Sequence, residues 1–172
     1  MAAAVYQITG YKNTGKTTLM CRLIDYLSSR NRKVATIKHD GHQFEAEPAG
    51  VDTARHRASG AVWSAITSGE RTAIVKEKSS SLEELIAEAP HDAFVLVEGF
   101  KMESYPKLVI VRREEDERLL AELSGVTAVV TWPGYRLQDN CIPAGAVLIE
   151  INDIDRIGDH IEQVGKEAVL RN

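Results

Sequence analysis

The chain has 172 residues with 21 basic and 25 acidic side chains, and its net charge of −4 points to neither a nucleic-acid nor an anionic membrane partner. Hydrophobic residues make up 44% of the sequence, which is ordinary for a globular protein, and the length suits a single domain over residues 1–172. No apolar run approaches the ~20 residues of a membrane-spanning helix, and the N-terminus lacks the pattern of a signal peptide. The two cysteines form no C-x-x-C pair, which fits a reducing compartment. We therefore expect a cytoplasmic protein that binds neither nucleic acid nor membrane.

Short β-branched runs alternate with helical patterns along the chain. Strands are predicted at 5–9, 33–38, 61–67, 72–76, 94–97, 107–111, 127–131 and 146–151. Helices are predicted at 16–29, 53–59, 81–89, 114–123 and 154–170, the third opened by the capping box Ser81-Leu82-Glu83-Glu84. The turn signal at 68–70 makes the strands on either side of it an antiparallel hairpin. The predicted fold class is a doubly wound α/β domain with a mostly parallel sheet and an irregular β-hairpin insertion, and such a sheet binds its ligand at the carboxyl ends of its strands.

The first strand leads directly into a phosphate-binding pattern, G-x-x-x-x-G-K-[ST], and a helix follows it, as this motif requires. The residues of this segment are Gly10, Tyr11, Lys12, Asn13, Thr14, Gly15, Lys16, Thr17 and Thr18. The glycines let backbone N–H groups converge on phosphate oxygens, and Lys16 places a positive charge near the β and γ phosphates. The hydroxyl of Thr17 suits Mg²⁺. The pattern predicts a P-loop NTPase-like fold that binds a nucleoside triphosphate.

A second candidate lies where the apolar strand at 94–97 ends, at Glu98 and Gly99. A carboxylate at the exit of a buried strand is expected to hold Mg²⁺ directly or through water. Gly99 would let the backbone approach the γ phosphate closely. Farther along, Lys101 and Lys107 are read either as groups that neutralise phosphate or, more simply, as solvated lysines.

The segment after the second strand adds polar residues whose roles are open. Asp40 is expected near Mg²⁺ in a nucleotide-sensing loop, although a simple polar loop and a metal cluster of His39, Asp40 and His42 are alternatives. Asp52 is a candidate helix N-cap that opens a basic cluster. In that cluster Arg55 and Arg57 lie on different helical faces, so at most one is expected to reach a phosphate or a second anionic ligand.

The chain resembles the MobB family of molybdopterin-guanine dinucleotide biosynthesis adaptor proteins in four segments that follow one another in the family's order. They are the phosphate loop, Thr36 to His42, Asp52 to Ala61 and Leu96 to Lys107. The resemblance runs over the whole chain. It implies a usually dimeric GTP-binding domain that hydrolyses GTP slowly and assists the molybdopterin guanylyltransferase alongside other molybdenum cofactor assembly proteins. Carried over to this chain, Lys16 and Glu98 are the catalytic positions, and Thr17 and Glu98 bind Mg²⁺. Asp40, Asp52, Arg55 and Gly99 join the phosphate loop around the nucleotide.

Two positions depart from the family pattern. Val51 stands where members usually have a lysine, and Trp132 follows Thr131 where many members have an aspartate. If that aspartate reads guanine, the preference for GTP over ATP is open here, and Trp132 is a candidate for stacking on a base.

Two other functions compete with this interpretation. One is a small-molecule kinase or ligase of the dethiobiotin-synthetase-like class that uses ATP, because Val97-Glu98-Gly99 also resembles that family and Arg55 or Arg57 could clamp an acceptor. The other is an interaction module whose phosphate loop is a relic.

A homodimer is expected from the hairpin at 61–76, whose edge is available for pairing.

Overall fold

The computed structural model describes residues 3–41, 44–48 and 50–170, and its chain divides into two compact units. The first unit comprises residues 1–39 and 85–172, and the second comprises residues 40–84. The prediction of a single domain over residues 1–172 stays a prediction. Within the described residues, no helix combines the length and apolar character needed to cross a bilayer.

The first unit is built on a six-stranded sheet in which every neighbouring pair is parallel. Its strands are β1 (Ala4–Thr9), β2 (Lys33–Lys38), β5 (Ala93–Glu98), β6 (Lys107–Val111), β7 (Val126–Thr131) and β8 (Val147–Glu150). They run in the order β2-β5-β1-β6-β7-β8. The order reverses about β1, so the loop after β1 lies at the switch point where doubly wound sheets bind their ligands. This confirms the predicted fold class.

Helices cover both faces of this sheet. On one face, α1 (Lys16–Ser29) and α5 (Ile154–Leu170) bury Leu19, Leu23, Ile157 and Ile161 against the sheet. On the other face, α4 (Arg118–Glu122) packs its leucines against alternate residues of β6 and β7. All six residues of β5 are buried, as expected for a parallel strand covered on both sides.

The second unit contains α2 (Asp52–Ala58) and an antiparallel hairpin of β3 (Trp63–Thr67) and β4 (Thr72–Lys76). This confirms the predicted hairpin. The helix α3 (Leu82–Glu88) begins in this unit with the predicted capping box, because the N–H of Glu84 donates to Ser81 Oγ and the N–H of Ser81 donates to Glu84 Oε2, each at 3.1 Å.

Three local predictions were wrong. The helix expected at 114–123 is a 3₁₀ turn (Glu114–Glu117) followed by α4, because the carboxylate of Asp116 turns back to accept the backbone N–H groups of Arg112 and Arg113. Asp52 is the first residue of α2 and not its N-cap, which is Val51. Lys107 is not solvated: it is wholly buried, and its ammonium donates to the carbonyls of Lys101 and Glu103.

Candidate functional site

The phosphate loop joins β1 to α1 at the carboxyl edge of the sheet. Gly15 is the N-cap residue of α1 and contributes no side chain, and no side chain caps the helix. The backbone N–H groups of the first helical turn are therefore left for an anion, which the positive end of the helix dipole also favours. The sequence prediction of a strand, a glycine-containing loop and a helix is confirmed.

The two motif glycines are required by close packing. A Cβ on Gly10 would lie 2.7 Å from Thr14 Oγ1, and a Cβ on Gly15 would lie 3.0 Å from Cζ2 of Trp132. Gly15 and Asn13 also have positive φ angles of 100° and 65°, which side-chain-bearing residues adopt only at a cost. The loop is thus held tightly in a conformation with little room for substitution.

Lys16 is folded onto the loop that it belongs to. Its ammonium donates to the carbonyl of Tyr11 at 2.7 Å, and the hydroxyl of Thr14 donates to the same carbonyl at 2.9 Å. Burial lowers the pKa of Lys16, the positive charges of Lys101 and Lys38 lower that pKa further, and the carboxylate of Glu98 opposes the shift. Positive charge is therefore concentrated where the motif places phosphate.

Thr17 and Glu98 meet as the sequence predicts. The hydroxyl of Thr17, on the first turn of α1, donates to the carboxylate of Glu98 at 3.2–3.3 Å, and this carboxylate is almost buried at the end of β5. Two adjacent ligands of an octahedral Mg²⁺ are about 2.9 Å apart, since each Mg–O bond is about 2.0–2.1 Å long. The spacing of the two oxygens and their chemistry both fit Mg²⁺.

The ammonium of Lys38 completes this group. Lys38 and Glu98 are register partners at the ends of β2 and β5, and Lys38 Nζ lies 3.7 Å from Glu98 Oε1. Sequence reasoning assigned no individual role to Lys38. The sequence does show a lysine at the end of a strand. That this strand lies next to the strand of Glu98 becomes clear only when the strand order is known.

Gln7 holds the backbone that follows Glu98. It is fully buried on β1, and its Nε2 donates to the carbonyls of Gly99 and Phe100 at 3.2 and 2.8 Å. His39 packs against the same segment, because a Cβ on Gly99 would lie 3.1 Å from the Cβ of His39. Packing against His39 therefore requires a glycine at position 99, whereas the sequence had suggested only a close approach to phosphate. The role of Gln7 could have been inferred from the sequence, because a polar amide stands inside the apolar run of β1.

The opposite side of the loop contacts the ends of β6 and β7. Arg112 Nη1 donates to the carbonyl of Asn13, and Trp132 Nε1 donates to the carbonyl of Thr14, each at 2.9 Å. The guanidinium of Arg112 lies over the ring of Trp132, 4.8 Å from its centroid. The contact of Arg112 with the loop was not predicted from the sequence. Trp132 was predicted only to stack on a base, and that stacking stays a prediction.

The side chains of the remaining loop residues lie at the periphery of the loop. Lys12 and Thr18 are exposed, and the ring of Tyr11 lies under the ammonium of Lys101, 4.8 Å from the ring centroid. Backbone groups rather than these side chains are the ones available for an anion.

Asp40, Asp52 and Arg55 belong to the second unit. Asp52 and Arg55 are exposed, with Arg55 Nη1 3.9 Å from Asp52 Oδ1. The side chain of Arg57 is only 9% exposed, and its Nη1 and Nε lie 2.5 Å from Glu47 Oε2 and 2.9 Å from Glu77 Oε1. The ion pairs of Arg57 give it a structural role within that unit. His42 lies outside the described residues, and within the described ones no group of three or more His, Cys, Asp or Glu side chains could hold a metal. The roles predicted for Asp40, Asp52 and Arg55 stay predictions.

The parallel sheet and the glycine-containing loop between β1 and α1 define a protein of the P-loop NTPase-like fold. The family model of the molybdopterin guanine dinucleotide synthesis protein B, MobB, matches residues 5–132. This chain therefore belongs to the MobB family.

Relatives and solved structures agree with this assignment. The molybdopterin-guanine dinucleotide biosynthesis adapter protein of Haemophilus influenzae is 36% identical over 159 residues, which are 90% of this chain and 85% of the relative. The crystal structure of Bacillus subtilis MobB has a TM-score of 0.75 at 26% identity and covers 91% of this chain and 97% of its own. A MobB homologue from Bacillus stearothermophilus has a TM-score of 0.72 at 28% identity and covers 93% and 99% of the two chains.

Proposed function

We propose that this chain is a cytoplasmic GTP-binding accessory protein that assists the guanylyltransferase in the synthesis of molybdopterin guanine dinucleotide. The observation that carries the proposal is the phosphate loop facing the Thr17–Glu98 pair in a member of the MobB family. The adapter proteins to which the chain is similar are named for this biosynthesis.

The chain's own groups divide the work of binding. The backbone N–H groups after Gly10 and at the start of α1 donate to the phosphate oxygens, and Lys16 exchanges the carbonyl of Tyr11 for a phosphate oxygen. Thr17 and Glu98 would hold Mg²⁺, which would neutralise phosphate charge, and the ammonium of Lys38, 3.7 Å from the carboxylate of Glu98, adds positive charge beside them.

Calorimetric titration of GTP and ATP, each with Mg²⁺ and with EDTA, tests this proposal. We expect micromolar GTP binding that Mg²⁺ strengthens and that Lys16→Ala abolishes. A clear preference for ATP would contradict the guanine assignment. The same Lys16→Ala variant, added to a guanylyltransferase reaction, should lose its stimulation of that reaction. Unchanged stimulation would show that the chain acts as an interaction module without nucleotide.

Hydrolysis is expected to be slow. Efficient phosphoryl transfer uses a free arginine or a water-positioning glutamine worth factors of roughly 10³–10⁵. Around the phosphate loop, Gln7 is bound to carbonyls and Arg112 to the carbonyl of Asn13. Phosphate release by the isolated protein at rates typical of an efficient GTPase would refute this expectation.

The hairpin supports a homodimer. Strand alternation puts Trp63, Ala65 and Ile74 on one face, where Trp63 and Ile74 are 54% and 53% exposed. Ile66, on the other face of the hairpin, is 55% exposed as well, and exposed apolar side chains of this size favour burial against a second copy. We expect sedimentation to give a dimer and Ile74→Glu to give a monomer, whereas a wild-type monomer at micromolar concentration would rule the dimer out.

The alternative of an ATP-dependent small-molecule kinase or ligase has no support from the relatives and solved structures described above. ADP production stimulated by one member of a metabolite panel would revive it.

A further inference from the structure

Arg112 and Trp132 bind two consecutive carbonyls of the phosphate loop from outside. Arg112 Nη1 donates to the carbonyl of Asn13, and Trp132 Nε1 donates to the carbonyl of Thr14, both at 2.9 Å. These two side chains come from the first residues after β6 and β7, the strands on the side of β1 opposite β5. They therefore hold the loop on the side away from Glu98.

Because peptide units are planar, these two hydrogen bonds also fix the direction of two backbone N–H groups. In a trans peptide the C=O and the following N–H are coplanar and point in opposite directions. The carbonyl of Asn13 shares its peptide unit with the N–H of Thr14, and the carbonyl of Thr14 shares its unit with the N–H of Gly15. Drawing both carbonyls outward consequently turns the N–H groups of Thr14 and Gly15 away from Arg112 and Trp132, toward the interior of the loop where the motif binds phosphate.

The backbone at this point includes one residue that gains from external support. Asn13 has a φ angle of 65°, a left-handed conformation that a residue with a side chain adopts at a cost, whereas Gly15 adopts its φ angle of 100° freely, so contacts that hold this segment favour the conformation of Asn13. The ring of Trp132 supplies one such contact, since its Cζ2 would lie only 3.0 Å from a Cβ on Gly15.

The two donors are themselves held in place. The guanidinium of Arg112 lies over the ring of Trp132, and the backbone N–H of Arg112 donates to the buried carboxylate of Asp116 at 2.8 Å. Trp132 is half-buried and packs against the core beneath α1 and α5. Arg112 and Trp132 thus form a pair of contacting donors, which we name the outer clamp.

We propose that the outer clamp is a pair of positioning residues that aim the amides of Thr14 and Gly15 at the bound phosphate. The inference rests on the proposed nucleotide binding and assigns Trp132 to the loop instead of to a base. Because the clamp acts only on loop amides, a clamp variant should lose affinity equally for every ligand that carries a triphosphate, whether or not a nucleobase is attached.

The test uses Trp132→Phe, which keeps an aromatic ring and removes the N–H donor, and Arg112→Met, which removes the guanidinium. Affinities for GTP and for inorganic tripolyphosphate are measured on the full chain by displacement of a fluorescent GTP analogue. We expect each variant to weaken both ligands by the same factor, about three- to tenfold, as for the loss of one hydrogen bond. Arg112→Lys, which can still donate to the carbonyl of Asn13, should recover most of the loss.

The matched control is Arg30→Met. Arg30 also lies over an aromatic ring, with its guanidinium 3.6 Å from the ring centroid of Tyr26, but at the far end of α1. This variant should bind both ligands as the wild type does. Circular dichroism checks that each variant is folded, and the exposed position of Arg112 makes its variants the safer ones.

Three results would overturn the clamp and leave the proposed nucleotide binding standing. Unchanged affinities in both clamp variants would show that the loop keeps its shape unaided. A loss for GTP alone would assign Trp132 to the base. Wild-type protein that binds GTP but not tripolyphosphate would show that the loop amides supply little of the affinity. Failure of the wild type to bind either ligand would instead refute the proposed nucleotide binding, and the clamp with it.

Discussion

Replacing Glu98 by glutamine should remove most of the magnesium dependence of GTP binding without unfolding the protein. The substitution preserves the shape of the side chain, so the hydroxyl of Thr17 can still donate to an oxygen at the end of β5. It removes the negative charge that the metal requires. The ion pair with Lys38 is also lost, but the side chain of Lys38 is 57% exposed, so the free energy of unfolding should change by no more than about 1 kcal/mol.

The expected size of the effect follows from the position of the carboxylate. Removing a partner that ligates or orients a metal typically costs about 10- to 100-fold in metal affinity, so the strengthening of GTP binding by Mg²⁺ should fall by a factor in that range. In EDTA the effect of Glu98→Gln on GTP affinity should have the opposite sign. Without Mg²⁺ the carboxylate of Glu98 repels the triphosphate, and its neutralisation should leave GTP binding unchanged or tighter.

Calorimetric titration of GTP into the wild type and Glu98→Gln, with excess Mg²⁺ and with EDTA, measures this difference directly. Glu150→Gln is the matched control, because Glu150 also ends a strand of the same sheet but lies on β8, four strands away from β5. It should behave as the wild type. Equal strengthening by Mg²⁺ in the wild type and in Glu98→Gln would refute the assignment of Glu98 to the metal.

Three further predictions concern pH and stability. Since burial lowers the pKa of Lys16 below its ordinary 10.5, tripolyphosphate affinity should fall as the pH rises toward 10, and Lys16→Arg should show a flat profile if this ammonium is responsible. Ser81→Ala removes the hydroxyl that caps α3 and should lower the free energy of unfolding in urea by about 1 kcal/mol, whereas a change below about 0.3 kcal/mol would indicate that the cap is not formed in solution. Ile161→Ala, at a fully buried position of α5, should cost about 2–5 kcal/mol in thermal or urea unfolding, and Ile161→Val about 0.5–1.5 kcal/mol, so equal costs would argue against the packing described.

The parts of the fold with strong local signals were predicted well from the sequence. The helix α1 begins at Lys16 and ends at Ser29 as predicted, because the phosphate loop marks its start. The apolar run of β5 indicated a strand covered on both faces, and all of its residues are buried. The meeting of Thr17 with Glu98 was predicted because parallel strands end at one edge of a sheet.

The contacts that were missed depend on strand order. Lys38 reaches Glu98 because β2 pairs with β5, and Arg112 reaches the loop because β6 pairs with β1. Periodicity indicates strands but does not say which strands are neighbours. Lys107 was missed for a different reason, since burial of a lysine requires nearby carbonyls to accept hydrogen bonds from its ammonium, and these carbonyls come from the turn that precedes it.

The indole of Trp132 has a practical consequence, because its ring touches the loop at Gly15. Its fluorescence should respond when an anion enters the loop, without any attached dye. The sequence has only one other tryptophan, Trp63, which lies on the hairpin of the second unit. The protein thus contains its own optical reporter of ligand entry, suited to stopped-flow measurement of how quickly the loop fills and empties.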